Sequence, residues 1–321
     1  MIQKNVCIVG GTGFVGHQLA SELARAGFHI RIPSRNRERR RSIFVLPNVE
    51  VVDTDIHDQS ALNALFEGCD IVINLAAILN AQGKDTFTKL HVDLPRKIVS
   101  ACKASGVARL IHMSALNADA DNGSSEYLRS KGEGEKIVMA AADELAVTVF
   151  RPSVMFGNGD RFFNTFALMM TYLPAIPAFC ADARLAPIYV GDVTKAMRLS
   201  LNDHETFGQR YDLCGPETFT MLGLMEYAAR QVRRKRKIIP LGSGMSALAG
   251  KILGLLPGKV FTYDNYLSLQ TAAVCHPPIP AHFNIEPTRL DAVVPKYIGE
   301  TDIRGRYDEM RMHAGRDPEP Q

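Results

Sequence analysis

Short β-branched runs alternate with longer amphipathic stretches through the first half of the chain. Val6–Val9 predicts a strand, Gly13–Ala26 a helix closed by Gly27, and Phe28–Ile32 a second strand. Val49–Asp53, Ile71–Asn74, Leu110–Met113 and Val147–Arg151 predict four more strands. Helical periodicity fills the gaps at Ser60–Phe66, Asp85–Ala104 and Ser125–Ala142. Strands and helices alternating at this spacing require right-handed crossovers, hence an α/β fold with a parallel sheet covered on both faces.

After Arg151 the rhythm changes. Arg161–Tyr172, Asp192–Leu201 (capped by its Asp) and Thr220–Gln231 read as helices, Pro187–Val190 and Gln209–Leu213 as strands. Small apolar helices follow at Ser246–Leu255 and Asp264–Ala273, and the tail Gly315–Gln321 reads as frayed. The pattern divides the chain into a dinucleotide-type domain over 1–155 and 186–213 and a smaller substrate or partner lobe over 156–185 and 214–321.

Composition narrows the class. The 321 residues carry 37 basic and 34 acidic side chains, a net of +3, which argues against a nucleic-acid binder with its strongly basic face. The six cysteines form no CxxC pair, so neither a disulfide framework nor structural zinc is expected, and a reducing compartment is the default. The nine histidines show no metal-ligand spacing. No apolar run approaches the roughly 20 residues of a membrane helix. The opening MIQKNVCIVGG enters a strand within a few residues, so no signal or transit peptide is expected and the location is read as cytoplasmic.

The chemistry begins at Gly10-Gly11-Thr12-Gly13-Phe14-Val15-Gly16, between the first strand and the first helix. Gly10 allows a tight turn, Gly13 lets backbone approach a phosphate, and Gly16 lets helix pack closely on sheet. The uncapped helix N–H groups and dipole then favour a pyrophosphate. Dinucleotide folds selecting NAD place an acid after the second strand; here the sequence is Pro33-Ser34-Arg35-Asn36-Arg37-Glu38-Arg39-Arg40-Arg41. No acid stands at the strand end, and Arg35, with Ser34 and Arg37, can pair with a 2′-phosphate in bidentate fashion. NADP(H) is the expected cofactor ahead of NAD(H), and Arg39–Arg41 read as a solvated basic face.

Together these segments resemble the extended and atypical short-chain dehydrogenase/reductases, with their Rossmann-type domain. In that resemblance Asp55-Ile56 is the adenine contact, and Leu75-Ala76-Ala77 after Asn74 lines the cofactor. Tyr127-Leu128-Arg129-Ser130-Lys131 matches the YxxxK signature, and Arg151-Pro152-Ser153-Val154 leading to Phe156-Gly157 is similar to the segment beside the nicotinamide, where Pro152 and Val154 would touch it. Tyr127–Glu135 followed by Arg151–Asn164 resembles more narrowly the branch of the NADPH-binding accessory subunit of respiratory complex I and its bacterial homologues. That branch includes proteins with a structural role and relatives linked to quinone metabolism. The resemblance implies NADPH binding and a respiratory-complex partner; turnover does not follow from it.

A YxxxK spacing puts both side chains on one helix face, one turn apart. Lys131 can hold the ribose and tune the Tyr127 phenol as acid or base for hydride transfer to an unknown small-molecule substrate. Ser114 is the candidate third member, but aligning the strand on the extended family's pattern puts Ala115 at the catalytic position. An enzyme and a non-catalytic, NADPH-binding structural or assembly protein therefore both stand.

Arg161-Phe162-Phe163 is expected to place aromatics over the substrate, with Asp160 as a cap or a polar contact beside Asn164. Arg230–Lys237 carries six basic residues and no acid, either a solvated helix end or a contact with anionic lipid at the inner membrane or an acidic partner. Met245–Leu256 is apolar and too short to span; the preferred reading is a plain buried helix of the small lobe.

Overall fold

Inward-facing residues on β1 (Asn5–Val9) alternate between two cores, Val6 and Ile8 on one face of a sheet, Cys7 and Val9 on the other. Both faces are therefore covered, as parallel strands require. The structure is a computed structural model and describes residues 4–35, 43, 46–81, 83, 85–232, 236–256 and 259–298. The nucleotide half runs β1, α1 (Phe14–Arg25), β2 (His29–Pro33), β3 (Val49–Val52), α2 (Gln59–Phe66), β4 (Ile71–Asn74), α3 (Leu94–Ala104), β5 (Arg109–Met113), α4 (Glu126–Met139) and β6 (Ala146–Pro152). There follow β7 (Met155–Phe156), α5 (Phe162–Tyr172), β8 (Ala175–Ala178), β9 (Arg184–Leu185), β10 (Ile188–Tyr189), α6 (Val190–Ser200) and β11 (Gln209–Leu213). The chain continues through β12 (Phe219–Thr220), α7 (Met221–Gln231), β13 (Lys237–Pro240), α8 (Ser243–Leu253), α9 (Tyr263–Ser268) and α10 (Leu290–Val293).

Seven strands form one sheet in the order β11-β6-β5-β4-β1-β2-β3, every pair parallel. This is the doubly wound Rossmann-type sheet. α1 and α6 pack on one face through Leu19, Leu23, Val193 and Met197, while α2, α3 and α4 cover the other through Leu62, Phe66, Ile98 and Val138. The chain lays down β1, β2 and β3 in one direction, then returns to place β4 against the other side of β1. The crevice at the carboxyl ends of β1 and β4 is thus the topological switch point, where such sheets bind ligands.

A separate core gathers Phe156, Phe163, Ile176, Leu185, Leu224, Met225, Leu290 and Val294 into the small lobe. Phe163 is wholly buried there against Phe156 and Tyr227, so it does not line a substrate site as expected. Asp160 does cap, its Oδ1 accepting from the Phe163 N–H at 2.7 Å.

Several expectations are corrected. The stretch 85–104 is not one α-helix: residues 88–93 form wider π-type turns and α3 starts at Leu94, because Pro95 has no N–H to continue a ladder through that point. α6 begins two residues before Asp192, so Asp192 is no cap; its buried carboxylate accepts from the Thr288 N–H and hydroxyl at 2.7 and 2.9 Å. The 264–273 helix ends at Ser268. Cys214 and Cys275 are joined in a disulfide across a separation of 61 residues, where no disulfide framework was expected. Sequence spacing missed it because the pairing is made by topology: Cys275 returns beside the end of β11, where the Cys214 N–H donates to Pro278 O at 2.7 Å. α8 is not a buried helix, since only Ser246 and Gly250 are buried. Arg233–Lys235 and 315–321 lie outside the described residues, as do Arg37 and Arg39–Arg41.

Candidate functional site

Gly10, Gly13 and Gly16 meet three different constraints. Gly10 sits at φ +83°, and a Cβ there would come within 2.8 Å of the Ala76 N. A Cβ on Gly16 would lie 2.4 Å from the Gly11 Cα, so any side chain would drive α1 off the turn. Gly13 is the N-cap residue and offers no side-chain cap, and no acid lies in the first turn of α1. The N–H groups of Phe14, Val15 and Gly16 precede the first helical bond, His17 N–H to Gly13 O, so the helix presents a row of donors and a positive dipole end. That cradle fits a dinucleotide pyrophosphate, including the close approach that a Cβ would block.

The other segments singled out from the sequence stand along the same carboxyl edge. Thr12 lies within the glycine turn, whose backbone at Gly10 abuts Leu75–Ala76, leading to Ala77. Phe14 meets the Gly157–Gly159 turn, which joins the glycine loop to the segment carrying Pro152 and Val154. Ser34 and Arg35 follow β2; the Arg35 guanidinium is largely exposed and lies 3.9 Å from Asp85. Asp55 and Ile56 follow β3; the Asp55 carboxyl is held below its usual range, chiefly by the His57 N–H at 3.0 Å.

Tyr127 and Lys131 lie on the first two turns of α4. Ser125 caps the helix by accepting from the Leu128 N–H at 3.1 Å, and Asp264 on α9 accepts from the Glu126 and Tyr127 N–H groups at 2.7 and 3.2 Å. The partly buried Tyr127 ring packs edge-on against Phe87 and His91. Desolvation, with the Asp264 charge behind it, pushes its phenol up to about 12. Lys131 is buried, its Nζ donating to Met113 O at 2.6 Å; burial brings its ammonium down to about 8, with Glu135 opposing. Ser114 Oγ is buried and has no hydrogen-bond partner among the described residues, so it is not bonded to Tyr127.

Sequence reasoning missed a buried polar cluster beside this pair. His91 Nε2 accepts from the Ile78 N–H at 3.1 Å, and Nδ1 lies 2.9 Å from Ser130 Oγ, which itself donates to Tyr127 O. The ring is therefore neutral with its proton on Nδ1, and desolvation and the nearby Lys131 charge take it down to about 3. Asn74 Oδ1 accepts from the Ala76 N–H, which fixes its amide so that Nδ2 donates to His112 Nδ1 at 3.1 Å. His112 Nε2 then carries a proton with no partner. Isolated histidines without ligand spacing gave no signal for these contacts: the pairing of β4 with β5 brings Asn74 to His112, and residues 88–93 against α4 bring His91 to Ser130. Asp264 lies 137 residues from Tyr127 and was likewise beyond local patterns.

Residues 10–162 match the family model described as NAD(P)H-binding. The chain is 31% identical over 261 residues to the mitochondrial NADH dehydrogenase (ubiquinone) 1 alpha subcomplex subunit 9 of Mus musculus, covering 79% of this chain and 68% of the relative. It is 32% identical over 187 residues to a ceramide reductase of Caulobacter vibrioides, 58% of this chain and 57% of that protein. The fold matches an NADPH-dependent quinone oxidoreductase from Escherichia coli solved with NADPH, at TM-score 0.71 and 18% identity, over 89% of this chain and 97% of that one. The chain carries an NAD(P)H-binding domain of reductase-like type.

Proposed function

The chain belongs to the family of the NADH dehydrogenase (ubiquinone) 1 alpha subcomplex subunit 9 proteins, and on that premise we propose that it binds NADP(H) and acts as a reductase. The glycine loop would hold the pyrophosphate on the bare end of α1. Ser34 and Arg35, with Arg37, would take the adenosine 2′-phosphate, and Asp55–Ile56 and Leu75–Ala77 would line the adenine and ribose. Pro152 and Val154 would border the nicotinamide.

The observation that supports this chemistry is the placement of Tyr127 one turn before the buried Lys131 on α4, with desolvation raising the Tyr127 phenol further above neutrality. At neutral pH it is protonated, which suits a proton donor. When bound, a dihydronicotinamide would supply the hydride for reduction of a carbonyl, and Tyr127 O–H would give its proton to the carbonyl oxygen so that an alcohol results. Lys131, which donates to Met113 O, would hold the ribose and stabilise the phenolate left behind.

Tyr127→Phe tests this: it should abolish NADPH-dependent reduction of carbonyl substrates, by 100-fold or more, while leaving NADPH affinity within threefold. Unchanged reduction would remove the assignment of Tyr127. A second reading, a non-catalytic NADPH-binding protein of a respiratory complex, is favoured by Ser114, whose hydroxyl makes no bond to Tyr127. In that case Tyr127→Phe would leave cellular function intact, while variants that lose NADPH would impair assembly.

A further inference from the structure

α8 carries a stripe of apolar side chains that nothing among the described residues covers. Met245, Leu248 and Ile252 stand 63, 60 and 56% exposed, and the turn that follows adds Leu255 at 88% and Leu256 at 53%. Positions 245, 248 and 252 recur at intervals of three and four, which aligns them on one face of α8. The opposite face is the packed one, through Ser246 and Gly250, the latter against Thr262. Val260 continues the patch, and Leu79 joins it because Asn80 is tied to Lys259 O and to the Thr262 hydroxyl at 3.1 and 3.2 Å. Leu79 lies two residues beyond Ala77, so the patch borders the cofactor edge of the sheet.

Charge gives the occupant. Between Glu226 and Asp264 the sequence has eight basic residues and no acid. Lys251 sits within the stripe, its ammonium over the Tyr263 ring at 5.1 Å, and Lys237 is exposed on the strand leading into α8. A short helix with an apolar face and flanking cations is the form that lies in the headgroup layer of a bilayer. A second copy of the chain fits poorly, because a two-fold contact through this face would bring the Lys251 ammonium groups of both copies towards one another.

We propose that the exposed face of α8, with the following turn and Leu79, docks on an anionic lipid bilayer, its leucines entering the acyl boundary and its lysines meeting lipid phosphates. Docked this way, the protein lies with one border of its cofactor edge near the membrane surface, where an amphipathic substrate would reside.

Flotation of the purified full chain with vesicles tests the proposal. Phosphatidylcholine with 30 mol% phosphatidylglycerol should bind the protein at least tenfold more strongly than phosphatidylcholine alone, and 0.5 M NaCl should weaken that binding. Lys251→Gln should cost roughly fivefold, the value of one cation near an anionic surface. Leu248→Glu with Ile252→Glu should abolish flotation at an unchanged unfolding midpoint, and Leu255→Glu in the turn serves if that pair does not fold. Leu199→Glu, an exposed position on α6, should change nothing. Absence of binding to anionic vesicles, equal binding to both lipids, or unchanged binding by the leucine variants overturns the proposal. So does a salt-resistant dimer in light scattering that Leu248→Glu dissociates.

Discussion

The Asp264 carboxylate accepts hydrogen bonds from the backbone N–H groups of Glu126 and Tyr127, so a residue of the small lobe caps the helix that carries the Tyr–Lys pair. Ser268 reinforces the contact by donating to Ser125 Oγ at 2.8 Å. The carboxylate satisfies two orphan donors at a positive dipole end and also raises the Tyr127 phenol. Asp264→Asn should lower stability by about 1–2 kcal/mol in urea unfolding and move the Tyr127 ionisation to lower pH. Ultraviolet titration of the variant against its Tyr127→Phe counterpart isolates that one phenol; an unmoved midpoint would remove Asp264 as a cause.

His91 predicts a response to acid. Its neutral ring is bonded on both nitrogens, and its ionisation falls from the ordinary 6.5 to about 3. Below pH 6.5 the unfolded chain takes up this proton while the folded one does not. The stability contributed by the neutral ring is therefore complete above pH 6.5 and lost progressively towards pH 3. Relative to His91→Gln, which cannot titrate, the wild type should lose about 2 kcal/mol between pH 7 and pH 5. Parallel curves for the two proteins would contradict the neutral assignment.

Much of this was legible in the sequence, for identifiable reasons. The central strands of the sheet announce themselves because they are buried on both faces, giving continuous apolar runs such as Val6–Val9 and Ile71–Ile73. The glycine loop was legible because its three glycines answer to local backbone geometry. What the sequence hid depends on distance along the chain: the capping of α4 by Asp264 of α9, the His112–Asn74 pair, and the Cys214–Cys275 bond. The exposure of α8 was hidden differently. An apolar stripe looks the same in sequence whether a core or nothing covers it.

Gly16 gives the sharpest steric prediction. A methyl group placed 2.4 Å from the Gly11 Cα and 2.5 Å from its carbonyl oxygen forces α1 away from the turn. Gly16→Ala should cost about 1–3 kcal/mol of stability and at least tenfold in dinucleotide affinity. A variant with wild-type melting and binding would show that the close packing at this turn carries no weight.

The disulfide predicts a thiol count. Cys7, Cys69, Cys102 and Cys180 are free and buried, so denatured, unreduced protein should titrate four thiols, and six after reduction. Cys275 closes the segment that runs from α9 past Ala273, which accepts from Ser153 Oγ at 3.0 Å. Cys214→Ser should cost about 2–4 kcal/mol. Six thiols without reductant would mean the bond does not form in the purified protein.

The central claim is that the glycine loop and Arg35 together select a 2′-phosphorylated dinucleotide. Calorimetric titration of NADPH and NADH into the wild type and Arg35→Ala tests it most directly. Removing a charge-assisted bidentate contact costs about 1.5–3 kcal/mol, or ten- to a hundredfold. Wild-type protein should bind NADPH at least tenfold more tightly than NADH, and Arg35→Ala should erase the difference by weakening NADPH alone. Equal affinity of the wild type for the two nucleotides, or a preference that survives Arg35→Ala, would contradict it.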